Sequence, residues 1–152
     1  MSYHTENIYK AVYKILSDAI APTKALSYIK AINEGWKNRD DIPAFPVIIL
    51  EPAREPETRY SVPYNIRGVF ELTIMPFMAD YGVSGQIIGT GSNKGIMNIV
   101  TDIKNLLSID KTLTGTALKF EFPRCDYHFD YFPNRFAEIA MEIEYISQDT
   151  QR

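Results

Sequence analysis

The sequence predicts an α+β fold: two layers, with two helices packed on one face of a mainly antiparallel β-sheet. Three observations carry this. From Tyr64 to Pro76 the side chains alternate, with Tyr64, Ile66, Phe70, Leu72 and Ile74 on one side and Asn65, Arg67, Glu71 and Thr73 on the other. A period of two is that of a strand with one buried face. The stretch 136–147 repeats the pattern, setting Ala137, Ile139, Met141, Ile143 and Tyr145 inward against Glu138, Glu142 and Glu144. Two other stretches, 5–19 and 94–107, repeat at helical spacing and are amphipathic. Two apolar helix stripes and one apolar sheet face bury one another most economically as two layers.

Taken in order, residues 5–19 form the first helix, with Ile8, Val12, Ile15, Leu16 and Ala19 on its stripe, Thr5 as its cap and Pro22 as its stop. The run 24–33 tolerates either a strand or a helix; its shortness, between a proline break and the Asn33-Glu34-Gly35 turn, favours a strand. Residues 36–41 read as a polar connection. FPVIILEP at 45–52 is apolar, β-branched and bounded by prolines, the composition of a buried strand. The proline-rich, charged segment 52–63 is an expected exposed arm or long hairpin loop. The strand 64–76 follows, about 12 residues at about 3.3 Å each, roughly 40 Å in all. Gly68 interrupts its buried face and predicts a bulge or a close backbone approach. A glycine-rich excursion at 77–95 leads to the second helix, 94–107, with Asn93 or Ser92 at its start and Ile96, Ile99, Val100, Ile103, Leu106 and Leu107 on its stripe. Residues 117–122 and 126–131 are extended, Pro133-Asn134 is a turn, and 136–147 closes the sheet. The expectation is one domain over 1–152, with extended loops at about 52–63 and 77–95.

Composition narrows the function classes. Hydrophobic content of 45% and charged content of 23% are those of a folded globular chain. A net charge of −3 provides no basic field for holding phosphate backbones. Cys125 is alone, so no internal disulfide forms. No apolar run approaches the length of a membrane helix and no leader pattern is seen, which makes the cytoplasm the default compartment. Ten Tyr and eight Phe, concentrated in the strand-like segments, suit both cores and interfaces.

Four constellations invite chemistry. Asp126, His128 and Asp130 share one face if 126–131 is a strand, so two carboxylates and an imidazole would converge on a cation, the basis for a small metal-dependent hydrolase. Alternation alone produces this spacing, and no second His or Cys cluster completes a site. Gly89 to Gly95 precedes a helix, as a phosphate cradle does, yet it matches neither Gly-Lys-Ser/Thr nor G-x-G-x-x-G and reads as a connection. Cys125, beside Arg124 and three positions before His128, has no accompanying nucleophile signature and reads as a packing residue. Glu138, Glu142 and Glu144 form a row of like charge on the last strand: a solvated face, or, in a ring, channel-facing charges past which a polyanion slides. No catalytic residue, cofactor or metal is assigned.

The order of elements resembles that of the tail terminator, or tail completion, proteins of long-tailed bacteriophages. The residues carrying the resemblance are the amphipathic helix 5–19, the proline-led run Asp41-Ile-Pro43-Ala-Phe45-Pro46-Val-Ile-Ile-Leu50, the charged arm and long strand, the helix 94–107, Asp110-Lys-Thr-Leu113-Thr-Gly115, and Arg135-Phe-Ala137-Glu-Ile139. It spans nearly the whole chain. It implies a non-enzymatic virion protein, assembled in the host cytoplasm. The protein would form a homo-oligomeric ring, a hexamer, that caps the tail tube, ends its polymerisation and joins tail to neck. The implied partners are further copies of itself, the tail-tube protein, a neck or connector protein and the tail sheath, with DNA passing through unbound. A capsid-side neck or stopper protein has the same texture and is the alternative.

Overall fold

A computed structural model describes residues 4–35, 46–55, 59–61, 65–78, 94–128 and 135–148. The chain opens with helix α1 (His4–Asp18), whose stripe Ile8, Ala11, Val12 and Leu16 is buried. Strand β1 (Ala31–Glu34) is followed by β2 (Val47–Arg54), β3 (Arg59–Ser61) and β4 (Asn65–Met78). Helix α2 (Ile96–Leu107), β5 (Lys119–His128) and β6 (Arg135–Gln148) are the remaining elements among the described residues.

The six strands make one sheet in the order β1-β2-β4-β6-β5, with β3 pairing β4. Among the described strands only β1 and β2 pair in parallel; every other pair is antiparallel. The α+β two-layer class is therefore what the chain adopts. Strand β4 is the axis, bonded to β6 along one side and to β2 then β3 along the other. Proline sits where the ladder permits. Pro52 lies beyond the last residue of β1 and next to a one-residue bulge at Ala53, and Pro123 lies within the bulge between Glu121 and Arg124 of β5. Pro76 is the exception, in the middle strand. The β4–β6 ladder has no paired residues between Ile74 and Phe77, as the missing N–H of Pro76 requires.

Both helices lie on one face. Their stripes pack with Ile48, Leu50, Phe70, Leu72, Ile74, Ala137, Ile139, Met141 and Ile143 in one continuous core. The opposite face holds a smaller apolar group at one end of the sheet, Val47, Ile49, Met75, Phe77 and Phe136, with the two phenylalanines stacked at 4.6 Å.

The structure corrects several local expectations. Residues 25–28 are turns and 24, 29 and 30 lie outside any strand; Leu26 and Ile29 are buried three apart, and i→i+3 bonds such as Ile29 N–H to Leu26 C=O close the turns. Only 31–34 pair with the sheet. The arm at 52–63 is not a loop throughout: β2 runs to Arg54, and β3 resumes the same edge of β4. The excursion at 77–95 starts later, since Phe77 and Met78 are buried strand residues; 79–93 lie outside the described residues. Residues 119–122 and 126–128 belong to one bulged strand, and 117 and 118 precede it. Gly68 marks neither a bulge nor a backbone approach. It pairs with Tyr145 in an unbroken ladder, and a Cβ there would lie 2.2 Å from the Tyr145 ring. Helix α2 begins after Gly95, its N-cap, whose N–H donates to the Asn98 side chain at 2.9 Å; Ser92 and Asn93, expected at the helix start, lie outside the described residues.

Candidate functional site: the outer face of the sheet

Alternation places Glu138, Glu142 and Glu144 of β6 on the face away from the helices, because their neighbours Ile139, Met141 and Ile143 are fully buried under them. Register then decides their company. Glu144 lies opposite Lys119, and their charges meet at 3.1 Å. Glu138 lies opposite Asp126, and its Oε1 is 3.1 Å from His128 Nε2. The expected row of uniform negative charge is thus interrupted at one end by the Lys119 ammonium and at the other by the His128 imidazole. Glu142 differs. It is paired in register with Glu71 of β4 on one side and Glu121 of β5 on the other, so three carboxylates line up across three adjacent strands. Glu71 is held by the Arg54 guanidinium, whose own pKa is raised by that contact. Glu142 has no ion pair among the described residues. Directly opposed like charges destabilise a sheet. Such an arrangement persists only if the surrounding fold fixes it.

The Asp126-His128-Asp130 motif is resolved in part. Asp126 and His128 do share this outer face. They are spoken for locally: Arg124 Nε lies 3.3 Å from Asp126, while the His128 ring stacks on Phe136 at 4.6 Å beside Glu138. Asp130 lies outside the described residues, and among those described no group of three His, Cys, Asp or Glu side chains is placed to hold a metal ion. Cys125 faces the other way, against the helix-side core, while Arg124 and His128 project outward. Burial pushes its thiol pKa up, with Tyr127 and Lys104 only partly opposing the rise, so it is not an activated nucleophile. Of Gly89–Gly95, Lys94 and Gly95 are described. The Lys94 ammonium is 3.3 Å from Asp102, part of a helix contact rather than an anion cradle.

Glu71 and Glu121 were missed as members of the acidic row. Each sits on a polar strand face in the sequence, but alignment with Glu142 is a property of strand register, which period-two patterning does not specify across strands far apart in the chain. No protein-family model matches the chain, and no curated protein matches it.

Proposed function

We propose that the protein is a structural assembly subunit of the tail-terminator kind, closing into a homo-oligomeric ring on a phage tail tube and facing its channel with the acidic outer sheet. The observation that supports this most is the Glu71–Glu142–Glu121 row on the face not covered by helices. Six copies would carry about −18, and a negative lining lets DNA pass without adsorbing. The function asked of the chain is then shape and charge, with no reacting group. The capsid-side neck protein remains the alternative and is separated by partner choice.

The test is native mass spectrometry and electron microscopy of the purified protein, alone and with tail-tube protein, with a parallel pull-down against portal protein. Rings seated on tube ends, with tubes of limited length, are the expected result. Capture by portal but not tube assigns the neck. Monomers at high concentration, unaltered by either partner, would falsify the assembly reading.

A further inference from the structure

On the helix side, where the first turns of α1 face the ends of β1 and β2 and Phe70 within β4, the structure opens a groove of about 380 Å³. Its lining divides into floor and rim. The floor is Phe70, Pro52 and the ring of Tyr9, whose hydroxyl already donates to the Leu50 carbonyl at 2.9 Å. The rim carries Glu6, Glu34 and Glu55, with no lysine, arginine or histidine among the lining residues. Glu6 is paired with Lys10 at 2.8 Å. Glu34 and Glu55 have no ion pair among the described residues. Glu34 reaches the groove because β1 runs parallel to β2 with Glu34 opposite Leu50, and Glu55 follows the bulge at Ala53. Two tyrosines at this end feel the rim. Burial first, then Glu34, pushes the Tyr9 pKa up to about 12, and burial followed by Glu55 raises that of Tyr145.

We infer that this groove is a docking site for a lysine- or arginine-bearing segment of a partner protein. An apolar floor under unpaired carboxylates fits a side chain with a hydrocarbon stem and a cationic head: the stem lies on Phe70, Pro52 and Tyr9, and the head meets Glu34 and Glu55. The aromatic rings add attraction for the cation. The volume is near the lower bound for a small-molecule site, room for one or two side chains. A phosphate-bearing ligand meets only repulsion there. A neutral apolar one would strip water from two carboxylates and leave them unpaired. The inference does not rest on ring formation and applies equally to a monomer.

Titration of the full-length protein, followed by ¹H–¹⁵N shifts at low salt, tests it with two probes: N-acetyl-Leu-Arg-Leu amide, and the same peptide carrying citrulline, which keeps the shape and loses the charge. Shifts confined to residues 5, 6, 9, 34, 55 and 70, with the arginine peptide bound about tenfold or more tightly than the citrulline peptide, are expected. The double variant Glu34→Gln/Glu55→Gln should abolish that preference with its urea midpoint retained. Should the variant not fold, the comparison of the two peptides on the unaltered protein still decides. Equal binding of both peptides, no shift at millimolar concentration, or shifts at Glu71, Glu121 and Glu142 instead would overturn the inference.

Discussion

Gly68 owes its identity to a single neighbour. The Tyr145 ring covers it from the adjacent strand and is itself only 8% exposed, stacked on His4 at 5.6 Å. A β-branched side chain here must displace that ring. Gly68→Val is expected to cost about 1–3 kcal/mol, and less in a Tyr145→Ala background, a coupling that a urea-denaturation double-mutant cycle reads directly. Asp110 is a second residue-scale device. Its carboxylate accepts the N–H groups of Thr112 and Thr114 and the Thr112 hydroxyl, which together hold its pKa below the usual 3.8. A depressed carboxylate contributes stability that is present above pH 3.8 and lost as pH falls through the lower folded value. Asp110→Ala should therefore be less stable than the wild type at neutral pH. The gap should narrow as pH drops below about 4, followed by thermal unfolding across a pH series.

At the scale of elements, the turn 110–117 shows what Asp110 is holding. Leu113, Thr114 and Gly115 take left-handed backbone angles in succession, with φ of 49°, 58° and 84°, and Leu113 is wholly buried. A buried leucine with positive φ is costly, about 1–2 kcal/mol, and is offset by its side-chain burial and by the Thr114 and Thr116 hydroxyls donating to its carbonyl. A tie from the turn after α1 to α2 is polar. Tyr28, in the turn after α1, donates to Asp102 of α2 at 2.7 Å, and Lys94 completes the contact from the helix start. Burial, then this hydrogen bond, raises the Tyr28 pKa far above that of a free phenol, so it stays a donor. Tyr28→Phe should destabilise by about 1–2 kcal/mol, since Asp102 keeps Lys94. Asp102→Asn on top of it should add little, measured by chemical denaturation.

For the whole molecule, the sheet has two chemically different sides: helix-covered and apolar on one, and on the other an apolar group at one end beside an acidic, partly ion-paired stretch. In the proposed ring the acidic side is what DNA would meet. Reversing it with Glu138→Lys, Glu142→Lys and Glu144→Lys adds six units of positive charge per subunit relative to the wild type, on the order of the number of phosphate contacts that gives strong, salt-sensitive binding. The variant should retard duplex DNA in a gel shift at low salt where the wild type does not, and the retardation should fade at about 0.2 M salt. Retardation by the unaltered protein would contradict a non-adsorbing lining.

Much of this architecture follows from patterns that act over neighbouring residues. Alternation in 64–76 and 136–147, and the helical stripes of 5–19 and 94–107, specify which face of each element is buried, because side-chain period is a property of the local backbone. The acidic face of β6 was legible for the same reason. Contacts between distant segments were not. That Glu142 sits between Glu71 and Glu121, that Tyr145 fills the space over Gly68, and that Glu34 and Glu55 line one groove with Tyr9 all depend on strand order and register. The stretch 24–30 shows the complementary failure, where burial of Leu26 and Ile29 against the core outweighed an alternation too weak to choose between states. The sequence by itself determined the two helices, the long strands and their inward faces, since these are set by steric and solvation preferences within a few residues. Tertiary structure alone decided which charges became neighbours, because long-range pairing is fixed by the packing of the whole core.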